Sequence, residues 1–302
     1  MKYSLNFFCR SFLLPALCAS EVLLCGCKKA ENPPTAPQPL QPQTGPYFHQ
    51  IYSASSSDGL NWTFDNRILL DHASVPAAIV TPAGKIRIYY VDASRVPENT
   101  NCAESSDGGV TFTVLGCTIA NRANDKALDP SIVLLADGRY RLYYYASKQN
   151  PNTADKHSIY SAISSDGVLF TQEHEVFARE GLVDPDVFQV GDEWFMYVFS
   201  LNEGATIVAR SRDGLNFTYV GPLGLRDWGT TAPVKLDDGR WRLYAFNQRG
   251  NQTVGSFVSS DGLNWTQEDG VRFTAPAGWQ VTDPFVVRLP DGTWKMVMKM
   301  HQ

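Results

Sequence analysis

The hexapeptide DGLNWT occurs at residues 58–63 and again, unchanged, at residues 261–266. Looser copies begin at Asp107, Asp166 and Asp213, each with an aromatic residue four or five positions after the aspartate. Counted from one aspartate to the next, the five copies lie 49, 59, 47 and 48 residues apart. A repeat of about this length is typical of propellers, solenoids and repeat arrays.

A second repeat lies between these copies. It consists of an apolar run that begins with proline, a tight turn and an aromatic run, as in PSIVLLADGRYRLYYY at residues 130–145. The other copies begin at Pro76, Pro185, Pro233 and Pro284. A glycine-containing turn between such runs indicates a β-hairpin, and β-branched and aromatic residues favour strands. The two repeats together predict units of four antiparallel strands, A to D.

The order of the hairpins along the chain predicts a closed ring. The chain begins with a C–D hairpin (48–65) and ends with an A–B hairpin (284–300), so each end alone would expose a strand edge, which proteins avoid. Joining the two hairpins completes a fifth sheet. We therefore predict an all-β, five-bladed β-propeller over residues 47–302, with the last blade shared between the two ends. An open solenoid would need capping units, and none is evident.

Residues 1–26 are predicted to be a lipoprotein signal peptide. Lys2 and Arg10 carry positive charge, and Pro15 and Glu21 interrupt an apolar run that is too short for a transmembrane helix. Residues 24–27, LCGC, resemble a bacterial lipobox, which implies cleavage before Cys27 and lipidation of that residue. An ordinary signal peptide with chance cysteines is the alternative. Residues 27–46 are rich in proline and predict a tether, so we expect export and lipid anchoring to the bacterial cell envelope, at the outer membrane or in the periplasm.

Two of the six cysteines, Cys102 and Cys117, lie within the predicted propeller on either side of the turn at residues 107–109. Opposed positions on a hairpin approach disulfide distance. Because exported proteins meet an oxidising environment, we predict a disulfide bond between them. Two buried free thiols are the alternative.

Composition narrows the possible partners. Lys and Arg number 26 and Asp and Glu 31, which gives a formal net charge of −5, and no basic stripe is visible. A nucleic-acid-binding protein would usually show a basic surplus, so we expect none here, with membrane contact through the lipid anchor only. The five histidines show no ligand spacing, and no phosphate loop or dinucleotide motif is present. We expect a monomer.

The repeated aspartates are predicted to be structural. An aspartate at such a turn can accept hydrogen bonds from backbone N–H groups, and the aromatic residue that follows it would be buried between blades. These aromatic residues are Trp62, Phe112, Phe170, Phe217 and Trp265. The copies resemble the Asp-box of sialidases, although most have a shorter spacing to the aromatic residue.

The residue before each A-strand proline is expected to face the central channel. The five positions hold Val75, Asp129, Asp184, Ala232 and Asp283. Three carboxyl groups around one axis can raise one another's pKa and serve in acid and base catalysis. Alternatively, an Asp-Pro pair simply caps a turn. A calcium ion held by the three aspartates is a further possibility; otherwise no cofactor is expected.

Loops around the same mouth supply candidate substrate-binding residues. Charged and aromatic side chains in one mouth suit an oligo- or polysaccharide, whose ring faces pack on aromatic rings while its hydroxyls take hydrogen bonds. The candidates are Arg122, Arg179, Arg226, Trp228, Trp279, Glu203 and Arg249. For each of them, a solvated surface role is the alternative.

The segments LDPSI (128–132), GRYRLYY (138–144) and VDPDVF (183–188) resemble blades of the five-bladed glycoside hydrolase superfamily, which includes arabinanases, levansucrases and invertases and is of the family 43 type. The resemblance covers residues 47–302. It implies hydrolysis of O-glycosyl bonds by three carboxyl groups: an aspartate base or nucleophile, an aspartate that tunes pKa, and a glutamate acid. Asp184 matches the tuning aspartate, and Asp129 matches the wording of the base motif.

The triad that the resemblance implies is incomplete. Val75 stands where the first blade should hold the base, and Ala232 stands where a later blade should hold the acid. A loop glutamate could supply the acid, and the candidates are Glu98, Glu180 and Glu203. Two alternatives to a hydrolase therefore remain open: a non-catalytic glycan-binding propeller and a protein-interaction propeller of the envelope.

Overall fold

A ring of five antiparallel sheets forms the folded part of the protein. The computed structural model describes residues 45–122, 126–146, 156–231 and 233–302. The expected signal peptide, Cys27 and most of the tether lie outside the described residues, as does Ala232. A short 3-10 helix (Gly45–Phe48) leads into β1 (Gln50–Ser56) and β2 (Thr63–Asp71). The prediction of an all-β, five-bladed propeller is confirmed.

The remaining strands follow in chain order. Blade one contains β3 (Ala73–Val80), β4 (Ile86–Asp92), β5 (Asn99–Ser105) and β6 (Thr113–Val114). Blade two contains β8 (Leu128–Leu134), β9 (Tyr140–Ala146), β10 (Lys156–Ser164) and β11 (Leu169–Glu180), with β7 (Thr118–Ala120) running parallel to β11. Blade three contains β12 (Leu182–Val190), β13 (Glu193–Ser200), β14 (Ala205–Ser211) and β15 (Thr218–Pro222).

Blade four is built from shorter strands. It contains β16 (Trp228–Thr230) and β17 (Val234–Lys235), which both pair with β18 (Trp241–Asn247). On the other side of β18, β19 (Thr253–Ser259) pairs with β20 (Thr266–Gln267) and β21 (Phe273–Thr274). Residue 232, the A-strand position of this blade, falls between β16 and β17.

Blade five joins the two ends of the propeller. The C-terminal strands β22 (Gln280–Arg288) and β23 (Trp294–His301) form its inner half, and β23 pairs antiparallel with β1 from Gln50↔Met300 to Ser56↔Trp294. The sheet order is β2-β1-β23-β22. Because both hairpins now have a partner, neither edge is left open, and the predicted ring closure is confirmed.

The repeated turns carry their aspartates on the surface. The Asp58 carboxylate accepts backbone hydrogen bonds from Leu60 and Asn61, both at 2.8 Å, and the other four copies repeat the pattern. These backbone N–H groups lower the pKa of Asp58 below its ordinary value. A carboxylate stabilised by N–H donors holds its turn together, which is the structural role expected of these residues.

Tyrosines on the B strands connect each repeated turn to the preceding blade. The Tyr89 hydroxyl donates to the carbonyl of Gly167 at 2.7 Å, and its ring meets Phe170 edge-on at 6.0 Å. Tyr143, Tyr197 and Tyr244 make the same bond to Gly214, Gly262 and Gly59. A Cβ on Gly167 would lie 2.8 Å from the Tyr89 oxygen, so the contact requires glycine. The turns therefore fasten neighbouring blades.

The fifth blade boundary is different. On β23 the position equivalent to these tyrosines holds Val297, and the turn that it faces carries an additional glycine, Gly108-Gly109. Ile86 and Lys295 fill the space beside Gly109. Lys295 also forms an ion pair with Asp65 at 3.0 Å. The turn with the longer spacing is thus the one that no tyrosine fastens.

Blade one contains the disulfide bond. Cys102, on β5, is bonded to Cys117, with a Cα–Cα distance of 5.4 Å, as the sequence predicted. The Cys117 amide also donates to the Asn101 side chain at 3.1 Å. No helix in the described part of the chain is long and apolar enough to span a bilayer.

Candidate functional site

The residue before the A-strand proline has an unusual backbone conformation in four blades. Val75, Asp129, Asp184 and Asp283 have φ values of 45°, 52°, 52° and 50°, and at each of them the pairing with the neighbouring strand shifts register. A β-bulge of this kind redirects a side chain. Aspartate tolerates the left-handed region, whereas it is strained for a β-branched valine. One backbone feature therefore brings all three aspartates to the axis.

Asp129 and Asp184 form a pair. The Asp184 amide donates to Asp129 Oδ2 at 3.3 Å, which places the two carboxyl groups beside each other. Burial raises the pKa of Asp129 to about 6. Burial and then the charge of Asp129 raise the pKa of Asp184 well above its ordinary value. Because neighbouring carboxylates resist simultaneous ionisation, the pair keeps a proton to a higher pH than an ordinary aspartate does.

Asp283 has a different partner, Lys299. Lys299 Nζ lies 2.5 Å from Asp283 Oδ2, which also accepts a hydrogen bond from the Thr282 hydroxyl at 3.2 Å. Burial alone would lower the pKa of Lys299, but the carboxylates of Asp283, Asp184 and Asp129 outweigh it and raise that pKa. The axis therefore carries one ammonium group among three carboxyl groups.

The sequence analysis did not identify Lys299. Its signal was the presence of two lysines, Lys295 and Lys299, in a strand that is otherwise apolar, KMVMKM at residues 295–300. A strand that is buried on both faces has no place for a lysine unless the lysine has an acidic partner. That partner is Asp283 on β22. Thr282, the residue before it, lies directly opposite Lys299 in the strand pairing.

The axial residues do not fit a calcium ion. Among the residues that the structure describes, no group of three or more His, Cys, Asp or Glu side chains is arranged to hold a metal. The Lys299 ammonium group already forms an ion pair with Asp283. An ammonium group in direct contact with one of the three carboxylates competes with a cation for its oxygens.

A cavity of about 400 Å³ opens over the paired aspartates. Asp129, Asp184 and Lys299 line it from blades two, three and five, and Glu98 lines it from the loop between β4 and β5. Glu98 Oε1 lies 2.9 Å from Lys126 Nζ. Of the three loop glutamates considered as a catalytic partner, Glu98 is thus the one that shares a cavity with the pair. Gly45 and Pro46, at the start of the propeller, form part of the same wall.

Two further polar side chains line this axial cavity. Tyr145 is 1% exposed, and its hydroxyl has no hydrogen-bond partner among the described residues. Burial, followed by the charges of Asp129, Asp184 and Glu98, raises the pKa of Tyr145. The second side chain, His49, bonds Ser74 at 2.9 Å, and burial and the Lys299 charge lower its pKa to about 3. Both side chains are therefore neutral at physiological pH.

A smaller cavity of about 100 Å³ continues from Asp184 toward blade four. Asp283 lines it together with Phe199, Phe246 and Gln248. Asp184 lines both cavities. The mouth of the channel is therefore a two-lobed site with the paired aspartates at its centre.

The residues expected to bind substrate are placed elsewhere. Arg179 and Glu203 form an ion pair at 3.2 Å and line a separate cavity of about 410 Å³, together with Glu180. Arg179 also stacks over the Tyr219 ring at 3.9 Å. Neither Glu180 nor Glu203 lines the axial cavity, so the structure does not bring them to the aspartate pair.

The two tryptophans take part in blade packing. Trp228 meets Phe257 edge-on at 5.4 Å, and a Cβ on Gly255 would lie 2.7 Å from the Trp228 ring. Trp279 meets Tyr52 edge-on at 5.8 Å. Neither ring is on the wall of the axial cavity. We expected both rings to stack on a sugar there. The sequence does not show that β16 pairs with β18 and that the Trp228 ring packs on Gly255 and Phe257 of β19.

The remaining arginines are also away from the axial cavity. Arg122 bonds the Asn99 side chain, Arg249 pairs with Asp227 at 2.5 Å, and Arg226 is exposed. Of the positions that the resemblance assigns to base and acid, Val75 lines the cavity, and Ala232 lies outside the described residues. The axial position of blade one thus holds a valine, whereas the equivalent positions of blades two, three and five hold aspartates.

Comparison with known proteins identifies the fold. No protein-family model matches the chain, and no curated protein matches its sequence. Among solved structures, a protein of unknown function from Dyadobacter fermentans is 15% identical over 84% of each chain, with a TM-score of 0.59. A thermostable family-43 glycoside hydrolase is 14% identical over 74% of this chain and 88% of its own, with a TM-score of 0.57.

A third similar structure is a family 117 glycoside hydrolase from the marine bacterium Zobellia galactanivorans. It is 16% identical over 85% of this chain and 91% of its own, with a TM-score of 0.55. At these identities the likeness establishes the fold alone. The chain therefore has the five-bladed β-propeller fold found in glycoside hydrolases.

Proposed function

We propose that the propeller binds a glycan in the axial cavity and hydrolyses one of its O-glycosyl bonds. The observation that carries the proposal is the position of Asp129, Asp184 and Glu98 on the walls of one cavity. A pair of carboxyl groups that retains a proton and a separate glutamate provide the acid and the base that glycoside hydrolysis needs.

The charges suggest which group plays which part. Asp129 and Asp184 are adjacent, since the amide of Asp184 donates to the Asp129 carboxylate, and we assign them to one role because the acid and the base of a glycoside hydrolase stand about 5–10 Å apart. The pair instead acts as one acid and gives its proton to the glycosidic oxygen as the bond from the anomeric carbon breaks. Glu98, paired with Lys126, takes a proton from the water molecule whose oxygen bonds to that carbon.

The cavity also supplies groups that suit a sugar. Its volume lies within the range of small-molecule sites, about 300–1,000 Å³. The Tyr145 hydroxyl is buried without a partner, which is costly unless a ligand or water completes its hydrogen bond. A sugar hydroxyl provides that partner, while Val75 and Leu201 contact the apolar edges of the ring.

The test is a screen of the purified protein against aryl-glycosides and plant and bacterial polysaccharides, with Glu98→Gln alongside. We expect hydrolysis of one substrate class and a loss of about 100-fold or more in Glu98→Gln. Glu203→Gln is the matched control, because Glu203 lies in the separate cavity. Equal losses in the two variants, or full activity in Glu98→Gln, would contradict the assignment of the base.

A second candidate function is glycan binding without hydrolysis. Val75 favours it, because this position lines the cavity in the same bulge as the aspartates but carries no carboxyl group. The two functions differ in a direct way. A binding protein would retain an oligosaccharide unchanged over long incubation and would lose affinity in Tyr145→Phe, whereas a hydrolase would release products.

We also propose that the propeller is held at the bacterial cell envelope by a lipid on Cys27. The LCGC segment at residues 24–27 and the disulfide between Cys102 and Cys117 support export. Fractionation of the native host tests this, with detection of the protein in the membrane and soluble fractions. We expect Cys27→Ala to move the protein out of the membrane fraction; an unchanged distribution would refute the anchor.

A further inference from the structure

Lys299 is a charged group on the wall of the axial cavity to which the proposed reaction gives no part. Its side chain is 15% exposed and that of Asp283 is 12% exposed. A lysine with so little contact with water is costly unless its charge is compensated. The 2.5 Å contact with Asp283 supplies that compensation, and among the residues that the structure describes no cation forms an ion pair with Asp129 or Asp184.

The groups that face Lys299 come from several strands. Asp283 is on β22, Asp184 on β12 and Asp129 on β8, and all three act electrostatically on the ammonium group. His301, on β23, and His49, which precedes β1, complete the set. The two rings pack against each other with centroids 4.7 Å apart. Burial and then the Lys299 charge lower the pKa of both histidines, so they add no positive charge near neutral pH.

Counting charges then separates the cluster into two parts. One part is the ion pair of Lys299 and Asp283, with no net charge. The other is the adjacent pair of Asp129 and Asp184, in which the Asp184 amide donates to Asp129 Oδ2 and one proton relieves the repulsion of the two carboxylates. If Lys299 were absent, Asp283 would be a third buried carboxylate without a cation and would compete for that proton.

We propose that Lys299 is a positioning residue: by pairing with Asp283 it confines the proton of the axial cluster to Asp129 and Asp184. The ammonium group does not have to touch the substrate for this. Its effect is to decide which carboxyl group in the cavity is the acid. This inference rests on the proposed function for its catalytic meaning, while the protonation pattern itself can be read without any substrate.

The experiment is carbon-13 NMR of the purified protein with isotope-labelled aspartate carboxyl carbons, whose chemical shifts report protonation. Single Asp→Asn variants assign the three axial resonances. The variants to compare with the wild type are Lys299→Met, Lys299→Arg and the double variant Lys299→Met/Asp283→Asn. Lys299→Arg keeps the positive charge, and the double variant removes the ion pair as a unit.

In the wild type at pH 7 we expect a protonated fraction on Asp129 or Asp184. In Lys299→Met we expect the Asp283 resonance to move toward the protonated position. The titration midpoint of the Asp129–Asp184 pair should rise by about one pH unit or more, because Asp283 without its cation leaves a further negative charge beside the pair. Lys299→Arg and the double variant should keep the wild-type midpoint of the pair within about half a pH unit.

An unchanged Asp283 resonance in Lys299→Met would overturn the proposal. If that variant does not fold, the double variant still tests the proposal. A shift of the titration midpoint of the Asp129–Asp184 pair by more than about one pH unit in the double variant would show that Lys299 acts on the pair directly and not through Asp283. Absence of glycan hydrolysis with the expected NMR pattern would refute the proposed function alone. Hydrolysis without that pattern would refute the role of Lys299 alone.

Discussion

Two sets of aspartates in this molecule follow the same fivefold repeat and have opposite electrostatics. The turn aspartates, such as Asp213, are exposed and accept backbone N–H groups, which, together with the Ser211 hydroxyl, lower their pKa. The axial aspartates Asp129 and Asp184 are surrounded by protein and by each other, and their pKa values are raised. The surroundings of a carboxyl group, and not its place in a repeat, therefore determine whether its pKa is lowered or raised.

The largest expected difference between the two sets is in activity. Asp184→Asn should lower hydrolysis by about 100-fold or more, because it removes half of the pair that carries the proton. Asp213→Asn should leave the rate within about twofold, since Asp213 lies in an exposed turn and does not line the axial cavity. Rates of product release under saturating substrate check this. Equal rates in the two variants would remove the functional distinction between the sets.

The second difference concerns the pH dependence of stability. A carboxyl group whose folded pKa is raised contributes stability that is complete below pH 4 and is lost as the pH rises through the folded pKa. For Asp129, with a pKa of about 6, the loss between pH 4 and 7 is about 3 kcal/mol. We expect Asp184→Asn to reduce the pH dependence of stability, because it removes the second carboxyl group whose folded pKa is raised.

Urea unfolding between pH 4 and 7.5 measures this change, with Asp192→Asn, an exposed aspartate of the β12–β13 turn, as the control. The difference in the free energy of unfolding between Asp184→Asn and the wild type should grow in favour of the variant as the pH rises. A constant difference across this range would mean that the pair is already ionised at pH 4.

A smaller effect is expected where the turns meet the neighbouring blade. Tyr143→Phe removes the 2.8 Å bond to the Gly214 carbonyl while leaving the ring in place, and should cost about 1–3 kcal/mol because that carbonyl loses its buried donor. Thermal or urea unfolding measures the cost. Tyr219→Phe, at a ring that is 38% exposed, should change stability little. Similar values for both would show that the hydroxyl does not fasten the blades.

The smallest effect is expected from a single turn aspartate. Asp213→Ala should lower the free energy of unfolding at pH 7 by about 1 kcal/mol, because two backbone N–H groups lose their acceptor. Since the folded pKa of Asp213 is lowered, this contribution is present above about pH 4 and disappears as the pH falls further. A difference from the wild type that persists unchanged at pH 2 would argue for a packing effect instead.

The sequence predicted the fold because local sequence patterns determine it. Turn glycines, alternating hairpin types and the unmatched hairpins at the two ends determine five blades and the pairing of β1 with β23. The equivalence of Asp129, Asp184 and Asp283 could also be predicted, since each precedes an A-strand proline. The structure adds that each of the three lies in the same kind of β-bulge in its own blade, which explains why their side chains converge on the axis.

The composition of the site could be predicted only in part. Lys299 meets Asp283 because β23 lies beside β22 with a register that no local pattern specifies. Glu98 was one of three equivalent candidates, and the loop before β5 carries it to the cavity. Trp228 was expected at the mouth because it lies in a loop by sequence, but it packs into blade four, where Gly255 leaves room for its ring.

The central claim is that the aspartate pair at the axis holds a proton that the turn aspartates do not. Carbon-13 titration of all labelled aspartate carboxyl groups in the wild-type protein tests it in one experiment. The account predicts that the Asp129 resonance titrates near pH 6, while Asp58, Asp166, Asp213 and Asp261 remain ionised down to below pH 4. Titration of Asp129 and Asp184 together with the turn aspartates, below pH 4, would contradict it.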